Sequence, residues 1–154
     1  MKQTIKHLFP GLLLLLVFVS CTAKKAEKQA QTDDAILQQY IQENGLTAQK
    51  TASGLYYVIE NPGTGLTCNS NSYVKVSYKG YFTDGAVFDE SDAQGISFSL
   101  TGVIKGWTEG IPYFKEGGNG KLLLPSALAY GKSGTSGIPA NSVLIFDVKL
   151  IQVL

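Results

Sequence analysis

From residue 54 onward the chain repeats one pattern: short runs in which apolar and polar residues alternate, each closed by a turn signal. Val74-Lys75-Val76-Ser77-Tyr78-Lys79 alternates strictly and places Val74, Val76 and Tyr78 on one buried face. Leu144, Phe146, Val148 and Leu150 alternate with Ile145, Asp147, Lys149 and Ile151, leaving Asp147 and Lys149 on the more exposed face. Ile96, Phe98 and Leu100 alternate with serines. A period of two sends successive side chains to opposite faces of a sheet, so these runs predict half-buried strands. Leu55 to Ile59, Ala86 to Phe88 and Lys121 to Leu124 read as further strands, the last ended by Pro125. Asn61-Pro62-Gly63-Thr64-Gly65 is a turn cluster, and Thr83-Asp84-Gly85 marks a hairpin, because Asp-Gly suits the primed turns. A single helical segment, about Gly106 to Lys115, interrupts the strands before Gly117-Gly118; Pro112 within it lacks a donor and fits only a first turn. Several strands with one short helix imply an antiparallel α+β domain of roughly 100 residues.

The N-terminal third reads differently. Lys2 and Lys6 precede an apolar run from Gly11 to Val19, which ends at Ser20-Cys21. A basic start, a short apolar stretch and small residues before a cut describe an export signal. The run is shorter than the roughly 20 apolar residues a membrane span needs. A cysteine directly after the run and a small residue resembles the lipobox of bacterial lipoproteins, with Phe18 where Leu is commoner. That resemblance implies a signal over residues 1–20, lipid attachment at Cys21, and a membrane-anchored protein of the cell envelope, at the outer membrane or the periplasmic face. The other reading is a secreted protein cut nearby, with Cys21 incidental. Residues 22–32 contain no large apolar side chain and read as a flexible tether over 21–32. Asp33 and Asp34 then offer an N-cap; Ile36, Leu37, Tyr40 and Ile41 follow at helical spacing, and Asn44-Gly45 is a stop. A short helix from about Asp33 to Asn44, within a segment 33–53, is the expectation, packed on the domain behind it.

The inventory of reactive side chains excludes much chemistry. The chain holds 154 residues, 13 Lys+Arg against 12 Asp+Glu, and one histidine, His7. All the cationic residues are Lys, so no bidentate Arg–phosphate clamp exists. The near-zero charge argues against a nucleic-acid partner. Cleavage before Cys21 leaves a chain with no histidine, which excludes a Ser-His-Asp triad and a His-ligated zinc site. Cys68 then stands alone as an unmodified thiol, read as a small apolar residue. Gly131-Lys132-Ser133 mimics the end of a P-loop, but Ser126 occupies the position of its first Gly. Asp89-Glu90-Ser91-Asp92 lacks the spacing and Gly of an EF-hand loop, and Glu90 and Asp92 read as solvated. No metal or cofactor is expected. A Ser-Lys hydrolase has no signal beyond the presence of both residue types.

What remains is a set of aromatics flanked by turns. Val76 to Asp89, Val103 to Gly110, Leu128-Ala129-Tyr130-Gly131, Gly137 to Asn141 and Leu144 to Val148 are five blocks in one order. Together they resemble the FK506-binding protein family of peptidyl-prolyl cis-trans isomerases, over residues 54–154. The helix before them, with Ser53-Gly54-Leu55-Tyr56-Tyr57, is similar to the bacterial envelope branch of that family. The resemblance implies a twisted antiparallel β-sheet wrapped around one short α-helix, with an apolar pocket between them. It implies Trp107 as the pocket floor and Tyr78, Phe88 and Phe146 as aromatic walls. Val103 and Ile104 would line one side, with the Ile104 N–H offered to a substrate carbonyl. Tyr130 would donate its hydroxyl to a bound peptide, Asp89 would be the polar residue of the pocket, and Ile138 would close it. Ile96 and Phe98 would add to the substrate-binding wall, Ile96 standing where the family often has an aromatic. The segments Leu100 to Val103 and Gly131 to Ile138 are short for the family, which bears on substrate preference and macrolide affinity. Taken singly, Tyr78, Phe146 and Trp107 read as core and Asp89 as a turn residue; the constellation carries the assignment.

The chemistry so implied suits the inventory, since rotating an Xaa-Pro bond makes and breaks no covalent bond. The expected partners are proline-containing polypeptides and, as ligands, FK506- or rapamycin-like macrolides; a monomer is expected. Two other functions fit the same residues. One is a non-catalytic chaperone lipoprotein that holds peptides in the same pocket. The other is a surface-anchored interaction protein that reuses the fold.

Overall fold

In the computed structural model the described residues run from Gly11 to Leu154, with side chains from Ala23 onward. The signal expected over residues 1–20 and the lipid attachment expected at Cys21 therefore lie outside the described side chains. Seven strands form one antiparallel sheet: β1 (Gln49–Lys50), β2 (Tyr56–Asn61), β3 (Tyr73–Tyr81), β4 (Val87–Glu90), β5 (Ile96–Ser99), β6 (Asn119–Leu124) and β7 (Leu144–Val153). Their order is β1-β2-β6-β7-β3-β4, and β5 pairs with β3 beside β4. The two longest strands, β3 and β7, run side by side from Val74↔Val153 to Tyr81↔Ile145. Both are runs whose alternation predicted a strand. Asp84-Gly85 does turn the chain between β3 and β4: the Gly85 N–H donates to Phe82 O at 2.9 Å, with Gly85 at φ +86°.

One face of the sheet curls over a short helix, α2 (Lys105–Gly110). Val74, Val76, Leu122, Leu124, Leu144, Val148 and Leu150 meet Trp107, Ile111 and Phe114 there, forming the main core. The expected helix to Lys115 is shorter than read. It gives way to a 3-10 turn at Ile111–Tyr113, with Pro112 in the turn's first positions. A continued α-helix would have needed the N–H that Pro112 lacks and would have driven its ring into the preceding turn.

The N-terminal helix departs most from expectation. It is not a short element behind a tether: α1 runs Gly11–Glu43, straight through residues 22–32. Ala, Lys, Glu and Gln fill that stretch, with no Gly or Pro between Leu12 and Asn44. These are good helix formers, and a helix already nucleated by its docked end extends at little cost. Hydrogen bonds one turn apart, such as Gln29 Nε2 to Asp33 Oδ1 at 2.7 Å, support the extension. The stop is as read: the N–H of Leu46 donates to Ile41 O and that of Gly45 to Gln42 O, closing the end of the helix. Asp33 and Asp34 are not caps, because the helix starts well before them. Both reach to the domain instead. Asp34 accepts from Tyr56 Oη at 2.9 Å and pairs with Lys50, while Asp33 reaches Ser126.

The last turns of α1 cover the second face of the sheet. Leu37, wholly buried, meets Tyr56, Leu123, Val143 and Ile145, with Tyr40 and Ile41 packed beside them. On this side Asp147 accepts from Tyr81 Oη at 3.0 Å and pairs with Lys121. Half-buried Cys68 packs against the main core as a free thiol, and burial pushes its pKa up, away from reactivity.

Candidate active site

The pocket grows out of strand register. Gly80 of β3 lies between Asp89 of β4 and Phe146 of β7, and Tyr78 lies opposite Val148. Tyr78 and Phe146 thus lean into the space that α2 occupies. Trp107, on the first turn of α2 and 6% exposed, fills its centre. Its ring meets Tyr78 edge-on at 4.8 Å between centroids and Phe146 edge-on at 5.2 Å, and Phe98 of β5 lies 5.3 Å away. Phe88 of β4 meets Phe146 edge-on at 5.6 Å. Edge-to-face contact is the arrangement ring quadrupoles favour, so Tyr78 and Phe146 hold the indole in place and Phe88 in turn holds Phe146.

These side chains line an open cavity of about 480 Å³. Tyr78, Phe88, Asp89, Ile96, Phe98, Val103, Ile104, Trp107, Tyr130 and Phe146 all border it. Of the residues singled out for the pocket in the sequence, only Ile138 lies elsewhere. It is 6% exposed and buried in the main core, where paired backbone hydrogen bonds to Thr135 hold its turn. Gly102 also borders the cavity and had no signal in the sequence.

The cavity is mostly apolar, with polar groups at its edge. Asp89 accepts a hydrogen bond from Tyr78 Oη at 2.6 Å. Burial, reinforced by that carboxylate, pushes the Tyr78 phenol well above its ordinary value, so it stays protonated as a donor. Among the described residues the Ile104 N–H and the Tyr130 hydroxyl donate to no protein acceptor. The indole Nε1 of Trp107 is buried without a partner. No three His, Cys, Asp or Glu side chains converge to hold a metal among the described residues.

A second depression, about 450 Å³ and more open, lies among Glu60, Lys79, Glu90, Lys121, Asp147 and Lys149. Charges of both signs share it, and Lys121 pairs there with Asp147, so it offers no field of one sign.

Residues 66–151 match the family described as FKBP-type peptidyl-prolyl cis-trans isomerase. The chain belongs to that family. The FKBP-type peptidyl-prolyl cis-trans isomerase FkpA of Escherichia coli K12 is 43% identical over 140 residues, which cover 87% of this chain and 51% of the relative. FkpA of Aeromonas hydrophila is 42% identical over 136 residues, covering 86% of this chain and 51% of the relative. The chain thus spans about half the length of these curated relatives. Among solved structures, that of E. coli FkpA aligns with a TM-score of 0.71 at 36% identity, covering 92% of this chain and 70% of that one. A peptidyl-prolyl cis-trans isomerase of Pseudomonas syringae pv. tomato aligns with a TM-score of 0.72 at 31% identity, covering 82% of this chain and 94% of that one. The expected FKBP-like fold, an antiparallel sheet over a short helix with a helix preceding it, is therefore the one observed.

Proposed function

We propose that this FKBP-family chain is a peptidyl-prolyl cis-trans isomerase that rotates Xaa-Pro bonds in exported polypeptides, working from a lipid anchor at Cys21 in the cell envelope. The observation that carries the reading is the aromatic cavity floored by Trp107, with two unengaged donors, Ile104 N–H and Tyr130 Oη, at its edge. Export rests on the N-terminal signal pattern. The isomerase domain is taken as residues 54–154, with the segment 33–53 fastening α1 to it.

The barrier to rotation is about 18–20 kcal/mol because twisting the amide breaks its resonance. Unaided, the bond turns over in tens to hundreds of seconds. The planar amide carries more charge separation than the twisted one. A water-poor aromatic cavity therefore disfavours the planar ground state relative to the twisted transition state, a differential effect that raises the rate. In this reading the proline ring sits over the Trp107 indole between Tyr78, Phe88 and Phe146. The Ile104 N–H and the Tyr130 hydroxyl hold the peptide carbonyls on either side. The carboxyl of Asp89 orients the Tyr78 hydroxyl and lies beside the rotating bond. A rate gain of about 10⁵ requires about 7 kcal/mol, and desolvation and placed donors must supply it together. Macrolides that present a proline-like ring and apolar arms fit the same cavity.

Exchange spectroscopy on a short Xaa-Pro peptide tests the reading. The folded protein is expected to raise the cis-trans rate well above that in buffer, and a macrolide is expected to abolish the gain. A rate equal to buffer, with the fold verified, refutes it.

A further inference from the structure

From the contact between α1 and the loop after β6, we propose that Asp33 is a positioning residue for Tyr130: the N-terminal helix sets the pocket's rim donor through Ser126. The proposal rests on the isomerase reading for its effect on rate, and on geometry alone for its effect on Tyr130.

Asp33 is 1% exposed and Ser126 is 2% exposed, and they are the two buried polar side chains of the described core. One carboxyl oxygen, Oδ2, accepts from the Ser126 N–H at 2.8 Å and from Ser126 Oγ at 2.6 Å. The other, Oδ1, accepts from Gln29 Nε2 at 2.7 Å. Burying a carboxyl is costly unless its oxygens are hydrogen-bonded, and truncating one partner of such a set leaves the rest stranded. A side chain of this kind is a poor choice for mere adhesion. Adhesion is already supplied one turn later by buried Leu37 and at the surface by Asp34 with Lys50 and Tyr56. What Asp33 adds is a fixed point on Ser126.

Ser126 begins the 3-10 turn Ser126–Leu128, whose cap position is Pro125 and carries no side-chain cap. Asp33, from another element, satisfies the first N–H of the turn, one of the donors that a helix start leaves without an internal partner. The turn leads directly to Tyr130, four residues on. Tyr130 sits between this turn and a second one at Gly131–Ser133, 38% exposed, in a stretch that pairs with no strand. Its hydroxyl has no protein partner among the described residues. The hydrogen bonds that hold the backbone before Tyr130 are the N–H of Leu128 to Pro125 O, that of Ala129 to Ser126 O, and the pair from Ser126 to Asp33; Leu128 and Ala129 also pack on the core, and the carbonyls of Tyr130 and Gly131 accept from Gly134 and Asn141 beyond. Release of Ser126 lets this turn, and the phenol it carries, shift.

The test uses the full chain with Asp33→Ala, Asp33→Asn and Ser126→Ala, each alone and with Tyr130→Phe. Peptide isomerisation and the NMR signals of the Tyr130 ring, assigned by their loss in Tyr130→Phe, are read together. Displacement by about 1 Å costs up to ~100-fold in rate; a partial release is expected to lower kcat/KM about fivefold in Asp33→Ala and to move the Tyr130 ring signals. Asp33→Asn is expected to recover most of both, because its oxygen still accepts from Ser126 while its amide meets a flipped Gln29. In the Tyr130→Phe background, Asp33→Ala is expected to cost nothing further. Should Asp33→Ala fail to fold, Ser126→Ala removes one bond of the pair and gives the same readings in smaller measure. Unchanged Tyr130 signals in a folded variant, or a full loss that persists in the Tyr130→Phe background, overturns the proposal. If the unsubstituted protein is inactive, the isomerase reading falls, and the Tyr130 signals still decide this one.

Discussion

Gly80 is the next-to-last residue of β3, where the alternation of the strand would place an ordinary side chain between Phe88 and Phe146. A Cβ built there would lie 2.7 Å from Cε2 and Cζ of Phe88 and 2.8 Å from Cε1 of Phe146. Carbon atoms rest at about 3.5–4.0 Å, so Gly80→Ala drives both rings outward by roughly 1 Å. Phe88 and Phe146 are neighbours in the aromatic wall, and Phe146 in turn touches the Trp107 indole. Over-packing of this sort costs about 1–3 kcal/mol, and replacing a strand glycine returns about 0.5–1 kcal/mol of backbone entropy. The net expectation is a loss of about 1–2 kcal/mol in urea unfolding, together with a fall of tenfold or more in kcat/KM for an Xaa-Pro peptide. The disproportion is the point: the strain falls on the wall of the cavity, not on the fold. Adding Phe88→Leu relieves the crowding, so the double variant is expected to recover stability without recovering activity. A Gly80→Ala protein whose activity stays within twofold of the unsubstituted one refutes the assignment of these rings to the working surface.

Further outcomes are expected. Leu37→Ala empties a fully buried site between α1 and the sheet, and should cost about 3 kcal/mol in one cooperative unfolding transition; a loss under about 1 kcal/mol would mean that α1 docks only loosely. Activity should be flat between about pH 6 and 9, since rotation of the bond transfers no proton, and a bell-shaped profile by exchange spectroscopy argues against it. Stability should decline above about pH 10, because burial holds the phenols of Tyr78 and Tyr81 above their ordinary value, helped by Asp89 at one and by Tyr40 and Asp147 at the other. The unfolded chain then ionises first, so this contribution is complete below about pH 10 and is lost as pH climbs through the folded values. A urea midpoint that holds steady or rises over that range contradicts the sign. Mass spectrometry of the mature N-terminus should find Cys21 acylated, and Cys21→Ala should release the protein from the membrane fraction; an unmodified thiol at the mature N-terminus removes the anchor.

Which parts of this were legible in the sequence follows from the range of the forces involved. β3, β7 and the Asp84-Gly85 turn could be read because alternation and turn chemistry are local. The pocket could be read because its rings, Tyr78, Phe88, Trp107 and Phe146, fall in blocks whose order identifies a family, although each ring alone looks like core. Residues 22–32 look like a tether because they have no large apolar side chain to bury, yet they are helical. Their helicity comes instead from propensity and from a docked end more than a turn away. Asp33 and Asp34 look like caps in the sequence, because a cap is the local use of an aspartate before an apolar run; their partners, Ser126 and Lys50 with Tyr56, are distant in the chain. The motif places Ile138 at the pocket, whereas its side chain does not border the cavity and is buried in the core that also holds Trp107 and Phe146.

One signal for the docked helix was present nonetheless. Leu122-Leu123-Leu124 on β6 breaks alternation, and a strand apolar on both faces must be covered on both. Leu122 and Leu124 join the core beneath α2, whereas Leu123 joins Tyr56, Val143 and Ile145 on the opposite face. The domain after Gly54 has only one helix of its own and spends it on the pocket side. The second face therefore needs an element from before Gly54, and α1 is the one that meets it. The same sheet thus carries the aromatic cavity on its first face and the N-terminal helix on its second. Because Asp33 reaches from that helix to Ser126, in the turn between β6 and Tyr130, the cover of one face is tied to the rim of the cavity on the other.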